Sequence, residues 1–124
     1  MLVLIFFPVF VFGQGYVMIM GGGNDRKSWA DIPFSWFVQQ ADSGIIINID
    51  VDEVAESYAS TFISHGASEE SFSLRISTRA QANDSSVYNR LLTASGIWLE
   101  GGDQYDYVST WDNTLTEKAI EEVY

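Results

Sequence analysis

Residues 100–104 read Glu-Gly-Gly-Asp-Gln and directly follow the apolar run at residues 97–99. Adjacent glycines have no Cβ, so their backbone N–H groups can face a ligand without a side chain in the way. Acyl-transfer sites use paired N–H donors of this kind to hold a developing oxyanion. Asp103 is also suited to cap a following helix, and the Gln104 side chain is both a donor and an acceptor. The segment therefore indicates either an oxyanion-binding corner or an ordinary turn with a helix N-cap.

A second glycine corner, GGGNDR, occupies residues 21–26. It matches the start of a dinucleotide-binding fingerprint, and Asp50 or Asp52 after the second predicted strand would suit a ribose hydroxyl. Arg26, however, stands where the fingerprint needs its third glycine. The alternative is a tight strand-to-helix turn that needs positive φ, and the missing glycine favours this turn.

Other residues that could do chemistry have simpler interpretations. His65, the only histidine, is expected in the last turn of a helix before Gly66, where an imidazole interacts well with the helix dipole. The acids of residues 49–53 (IDVDE) have no second ligand cluster, so we interpret them as solvated turn carboxylates and expect no metal. Arg75 and Arg79 are expected to balance surface acids.

Composition limits the function classes. The 124 residues suffice for one domain, and 47% hydrophobic residues are typical of a globular chain. Six Lys and Arg against 17 Asp and Glu give a net charge of −11, which argues against binding to nucleic acid or anionic membranes. The absence of cysteine excludes disulfides, a thiolate nucleophile and a Cys-based zinc site.

The first 12 residues are almost wholly apolar and too few to span a bilayer. Val11 and Gly13 stand at −3 and −1 of a cleavage site before Gln14, as in a signal peptide. We therefore predict a signal peptide at residues 1–13, export to the periplasm or the extracellular space, and an α/β domain over residues 14–124. A buried first strand is the alternative, and Pro8 disfavours it.

From residue 15 onward the pattern alternates strand and helix. Residues 16–20, 45–49 and 97–99 are continuous apolar runs, typical of strands covered on both faces, whereas residues 72–76 alternate as in a peripheral strand. Apolar residues at helical spacing lie between these strands. Phe34, Phe37, Val38 and Ala41 predict a first helix. Tyr58 and Phe62 predict a second helix that ends before Gly66, and Leu91 belongs to a third that is expected to end before Gly96. Asp84 or Ser85 is the expected cap of the third helix, and a last helix is expected from Thr116.

Four β-α units predict a parallel sheet with helices on both faces. In such sheets, ligands bind at the carboxyl ends of the strands. Both glycine corners would lie at that edge.

The segment from residue 101 to residue 120 carries a more specific pattern: Gly101, Gly102, Asp103, Gln104, Tyr107, Val108, Trp111, Thr114, Glu117, Ala119 and Ile120. It resembles the cyanophycinase and dipeptidase E family of serine peptidases, and the cyanophycinase-like branch most. Weaker matches are the glycines at 21–23, residues 77–80 (STRA) and residues 82–84 (AND). The likeness extends from about Gly15 to the C-terminus.

The resemblance implies a three-layer α/β sandwich with a mainly parallel, flavodoxin-like sheet of the class I glutamine-amidotransferase type. In the family, the nucleophilic serine lies on a G-x-S-A-G turn after the next strand, and a histidine follows. No serine here has that context; Ser64 comes nearest but has Phe62 at the position of the first glycine. We therefore expect the N-terminal portion of a longer protein, or a degenerate relative, that is inactive by itself.

By resemblance, Gly102 and Asp103 would offer backbone N–H groups to the oxyanion, and Gly101 and Gln104 would contact substrate. The implied substrates are aspartate-containing peptides or the β-linked aspartyl-arginine polymer, with no cofactor. A non-catalytic binding or scaffolding protein on the same fold is the alternative, and a nucleotide-binding domain that uses residues 21–25 is a third. The sequence does not decide whether the chain forms a homo-oligomer. If the sheet is incomplete, it is expected to expose an apolar edge strand.

Overall fold

A computed structural model describes residues 15–21, 28–52 and 56–124. Within these residues the centre of the molecule is a three-stranded sheet in which every pairing is parallel. In chain order, the strands are β1 (Ile46–Asp50), β2 (Phe72–Arg75) and β3 (Gly96–Leu99). Their spatial order is β2-β1-β3, so β1 is the central strand and both neighbours are edge strands of the described sheet.

Helices pack on both faces of this sheet. In the described part of the chain they are α1 (Asp31–Gln40), α2 (Glu56–Ser64), α3 (Arg79–Ala82), α4 (Ser85–Leu91), α5 (Gln104–Trp111) and α6 (Leu115–Val123). A short 3-10 turn at Ser28–Ala30 leads into α1. The architecture is therefore an open α/β sandwich of the flavodoxin-like kind, which confirms the predicted fold class.

The central strand is buried along its whole length, as its apolar run predicts. Successive side chains of a strand point to opposite faces. Ile46 accordingly packs into a cluster with α1 and α2, whereas Ile47 and Ile49 pack into a second cluster with α3 to α6. Two cores of this kind, one on each face, make the three-layer arrangement stable.

Several helix ends confirm the predicted signals. Asp84 caps α4 by accepting a hydrogen bond from the backbone of Ser86. Gly66 follows the end of α2 with a φ of 99°, a conformation that glycine adopts without strain. The prediction that Gly96 closes a helix was wrong, because α4 ends at Leu91 and Gly96 is the first residue of β3. Residue 96 is a glycine next to Phe37, whose ring would lie 3.3 Å from an added Cβ.

The strand predicted at residues 16–20 is not formed. These residues belong to no helix or strand, and Tyr16, Val17 and Ile19 are exposed. An apolar run becomes a strand only where its backbone finds a hydrogen-bonding partner. Residues 15–21 and β3 both line one open slot, and residues 15–21 make no backbone hydrogen bond with another described residue.

Among the described residues no strand pairs with the outer edge of β3, and one of its side chains is more exposed than predicted. The apolar run at residues 97–99 predicted a strand covered on both faces, but Leu99 is 46% exposed. The prediction of full coverage was wrong because β3 is an edge strand in the described sheet. The prediction for β2 as a peripheral strand is confirmed.

Some predictions fall on residues that the structure does not describe. These are the signal peptide at residues 1–13, most of the glycine corner at residues 21–26, and Glu53 of the acidic segment. Within residues 15–21, 28–52 and 56–124, no helix is both long and apolar enough to cross a bilayer.

Candidate functional site

The carboxyl ends of the three parallel strands bring acidic and amide side chains together. β1 ends at Asp50, β3 runs into Glu100, and the Glu100 side chain reaches back across the sheet to Asn48 of β1. In parallel α/β sheets this edge is where ligands bind. We therefore take the segment from Glu100 to Gln104, with its neighbours on β1 and α5, as the candidate site.

Asn48 connects the three strands. Its Nδ2 donates to Oε1 of Glu100 at 2.6 Å and to Oγ of Ser73 on β2 at 3.1 Å. The residue is fully buried, and a buried amide is tolerable only when hydrogen bonds replace those it made to water. Sequence reasoning missed Asn48, although a polar residue inside an otherwise apolar buried run was the available signal.

Asp50 is the second buried polar residue of β1. Only 5% of its surface is exposed, and Oδ1 accepts a hydrogen bond from the backbone N–H of Asp52 at 2.8 Å. The prediction that this residue is a solvated turn carboxylate was therefore wrong. Asp50 ends the central strand, where the neighbouring strands and Tyr107 of α5 shield it, whereas Asp52 is exposed as predicted.

Tyr107 covers this end of the sheet. Its hydroxyl donates to the backbone carbonyl of Glu100 at 2.8 Å, and its ring packs edge-on against Trp111 at 4.8 Å between centroids. Burial, and next to it the negative charge of Asp50, raise the pKa of the Tyr107 hydroxyl. A phenol held neutral in this way serves as a hydrogen-bond donor over the whole physiological pH range.

Trp111 fixes the far end of α5. The side chain is 4% exposed, and Nε1 donates to the carbonyl of Ile76 at 2.8 Å. Because Trp111 and Tyr107 lie one turn apart, they hold one face of α5 against the sheet. The glycine corner immediately precedes this helix, so both aromatic side chains position it.

The corner itself is open to solvent. Gly101, Gly102, Asp103 and Gln104 are all exposed. Oδ1 of Asp103 accepts from the backbone N–H of Tyr105 at 2.9 Å, which confirms the predicted N-cap. Among the described residues, no backbone acceptor bonds to the N–H groups of residues 101–103. These donors can therefore meet a ligand at the N-terminus of α5.

The two glycines differ in what they require. A Cβ on Gly102 would lie 3.1 Å from Cε2 of Tyr107, whereas a Cβ on Gly101 would meet no atom of the described residues within 4 Å. Glycine at 102 thus lets the backbone approach the Tyr107 ring closely. Packing against Tyr107 therefore explains a glycine at position 102 even if the corner binds no ligand.

Arg79 has a different role from the one predicted. Its guanidinium donates to the carbonyls of Ser109 and Asp112, each at 3.0 Å, and does not pair with a carboxylate among the described residues. These carbonyls lie at the C-terminal end of α5, where a helix lacks internal donors and favours a positive charge. Arg79 therefore caps α5, and the expectation that it balances surface acids was wrong.

His65 lies outside the site. It follows α2, which returns to the amino ends of the strands, so it sits at the edge opposite Glu100. Nδ1 is 2.8 Å from the carbonyl of Thr61, Nε2 is 3.5 Å from Asp31, and the ring packs edge-on against Phe34. Ser64 Oγ is 3.3 Å from Nδ1, but that nitrogen donates its proton to the Thr61 carbonyl. It therefore cannot accept a proton from Ser64, and this group is not a catalytic triad.

Within the described residues, no cluster of three or more His, Asp or Glu side chains has a geometry that could hold a metal ion.

No protein-family model matches the chain, and no curated protein matches it. The cyanophycinase-like assignment therefore stays a prediction from the motifs.

The Tyr107 environment predicts a late ionisation. A free tyrosine ionises at about pH 10, and the raised pKa of Tyr107 delays this in the folded state. Its contribution to stability is thus complete below about pH 10 and is lost as the pH rises through the folded value. We expect the unfolding free energy to fall more steeply above pH 10 in the wild type than in Tyr107→Phe. Equal slopes in alkaline denaturation series would contradict this.

The Asp103 cap predicts a modest stability effect. Asp103→Ala removes the acceptor for the Tyr105 N–H and should lower the unfolding free energy by about 0.5–2 kcal/mol. Asp103→Asn keeps a capping oxygen and should recover most of that loss. Urea unfolding of the two variants measures the difference, and an equal loss in both would show that charge, not the cap, matters.

Proposed function

We propose that this chain is the N-terminal part of an exported serine peptidase resembling the cyanophycinases. In this proposal the enzyme cleaves aspartate-containing peptides or β-aspartyl-arginine bonds. The observation that carries the proposal is the glycine corner, whose backbone donors are exposed at the carboxyl end of β3 and at the start of α5. The carboxyl end of a parallel strand is where such sheets bind ligands, and the N-terminus of the following helix favours an anionic ligand atom.

The proposed roles divide between backbone and side chains. The N–H groups of Gly102 and Asp103 hold the oxyanion, and Gly101 and Gln104 contact the substrate beside the scissile bond. The serine nucleophile and its histidine come from polypeptide beyond Tyr124. Tyr107 and Trp111 touch no substrate and only position the corner.

The surroundings of the corner suit a substrate with a cationic side chain. Asp50, Asp52 and Glu100 cluster at the same edge, and the net charge of the chain is −11. Asp50 is buried, but Asp52 is exposed and Glu100 is partly exposed, so a guanidinium group could reach a carboxylate there, which is consistent with an arginine in the substrate. The same charge would repel nucleic acid.

The first experiment reads the coding sequence beyond Tyr124. A short apolar strand that leads into G-x-S-A-G supports the proposal, and the whole protein is then assayed on β-aspartyl-arginine dipeptide. A stop codon or a replaced serine overturns the enzyme proposal. In that case the non-catalytic binding protein is the better conclusion, since no serine of these 124 residues has glycines at both −2 and +2.

A matched pair of variants isolates the backbone donor. Asp103 has a φ of −75°, which proline adopts. Asp103→Pro and Asp103→Ala both lose the capping carboxylate, but only proline also loses the N–H. In the whole enzyme we expect kcat of Asp103→Pro to lie about 10²–10³ below that of Asp103→Ala, with similar KM. Equal kcat values would show that this N–H does not contact the oxyanion.

A further inference from the structure

Glu100 is the residue directly before the glycine corner, and its side chain is held by the central strand. Oε1 of Glu100 accepts a hydrogen bond of 2.6 Å from Nδ2 of Asn48. An ionised carboxylate cannot donate, so the Asn48 amide presents its nitrogen, and charge-assisted hydrogen bonds of this kind are strong. Asn48 is fully buried within β1, which keeps the donor in place. The carboxylate that adjoins Gly101 in sequence is therefore bound to β1.

This bond draws the carboxylate toward the face of the sheet that α5 does not cover. Successive side chains of a strand alternate, so Asn48 shares the face of Ile46, which packs with α1 and α2. Trp98, two residues before Glu100, packs in the same cluster. Tyr107 on α5 packs against the cluster of the other face. Asn48 therefore holds the Glu100 charge away from the helix that begins at the glycine corner.

The donors of the corner would attract this carboxylate if it were released. No hydrogen bond joins the N–H groups of residues 101–103 to another described residue. These groups lie at the start of α5, where the helix dipole favours a negative charge. A glutamate side chain is long enough to reach a backbone N–H up to three residues away, as it does in a capping box. A carboxylate bonded there would take the place of an oxyanion.

We propose that Asn48 is a positioning residue, which holds the Glu100 carboxylate away from the corner and so keeps the N–H groups of Gly102 and Asp103 available to a ligand. Without the Asn48 donor, Glu100 bonds to these N–H groups and blocks the corner from within the chain. The meaning of this role for catalysis rests on the proposed function, because an oxyanion site needs unoccupied donors. The position of the carboxylate does not rest on it and can be measured in the purified chain.

The test is amide hydrogen exchange of residues 101–103 in the purified chain at neutral pH. Asn48→Leu replaces the amide with an apolar group of similar size that cannot donate to Glu100. Exchange at Gly102 and Asp103 should slow by about tenfold, because a hydrogen bond to a charged acceptor must then open before exchange. The direction of this change is decisive, since a general loss of stability would make exchange faster.

Two matched variants separate the effect of the charge from that of a lost hydrogen bond. Asn48→Leu combined with Glu100→Gln leaves no carboxylate beside the corner, so exchange should return most of the way to the wild-type rate, because a neutral amide is a weaker acceptor. Ser73→Ala removes the other acceptor of the Asn48 amide, at 3.1 Å, and leaves the bond to Glu100. Exchange at the corner should not change in Ser73→Ala.

Glu100→Asp tests the same inference without a change in the buried strand. Aspartate is one methylene shorter than glutamate and too short for the bond to Asn48. An aspartate carboxylate readily accepts from the N–H group two residues ahead, as Asp103 accepts from Tyr105 in this chain. Exchange at Gly102 should therefore slow in Glu100→Asp as well, and this result decides the question if Asn48→Leu does not fold.

Three outcomes overturn the proposal. One is unchanged or faster exchange at the corner in an Asn48→Leu chain whose circular dichroism is native. Another is slow exchange that persists after Glu100→Gln is added, and the third is no slowing at Gly102 in Glu100→Asp. A stop codon after Tyr124 would overturn the peptidase proposal and leave these exchange rates as they are, so the two proposals fail separately.

Discussion

Trp111→Ala should lower the free energy of unfolding by about 3–5 kcal/mol, a large share of the stability of a domain this size. The substitution removes a buried ring that packs against Tyr107 and into the core on the α3 to α6 face. It also leaves the Ile76 carbonyl without the Nε1 donor of Trp111. Denaturant unfolding followed by circular dichroism measures the loss.

Trp111→Phe separates the two contributions. Phenylalanine keeps much of the buried ring but cannot donate to the Ile76 carbonyl, so we expect a loss of about 1–3 kcal/mol. If Trp111→Phe costs as much as Trp111→Ala, the hydrogen bond and not the packing holds α5. In both variants, amide exchange in residues 101–104 should accelerate, because α5 positions the glycine corner.

Phe62→Ala should cost a similar amount, about 3–5 kcal/mol, on the opposite face of the sheet. Phe62 is fully buried, and its ring centroid lies between 5.3 and 6.3 Å from those of its aromatic neighbours Phe34, Phe37, Tyr58 and Trp98. Deleting the central ring leaves a cavity that four large rings cannot fill without changing their contacts with each other.

Ile32→Ala is the matched control for Phe62→Ala. Ile32 is also a large apolar residue, but its side chain is exposed, so its removal should change stability by no more than about 0.5 kcal/mol. Urea titrations of the two variants side by side give the comparison. A loss in Phe62→Ala no larger than that in Ile32→Ala would contradict the aromatic cluster as the core of this face.

The predictable part of the fold rests on local signals. The apolar run in β1, the stripe of Phe34 and Val38 on α1, and the caps at Asp84 and Asp103 each act within a few residues of the chain. Helices, strands and caps that depend on such signals can be predicted from the sequence, because periodicity and capping involve residues that are close together along the chain. Together they predicted the α/β class and the position of the glycine corner.

The candidate site was predictable only in part. The sequence identified residues 101–104 but not the hydrogen bonds that hold them in place. These bonds join residues between 7 and 52 positions apart: Asn48 to Glu100, Tyr107 to the Glu100 carbonyl, and Trp111 to the Ile76 carbonyl. Arg79 likewise reaches carbonyls 30 and 33 residues away. No local pattern identifies such partners.

The sequence by itself determined the elements: a buried central strand, amphipathic helices with their caps, a corner of two glycines, and an acidic surface. Only the tertiary structure decided which apolar runs become strands and which polar residues are buried. Residues 16–20 are as apolar as β1 yet pair with no described strand and line an open slot, while Asp50 is acidic yet buried beneath Tyr107. The physical reason is that pairing and desolvation depend on what lies across the sheet, which the order of residues along the chain does not specify.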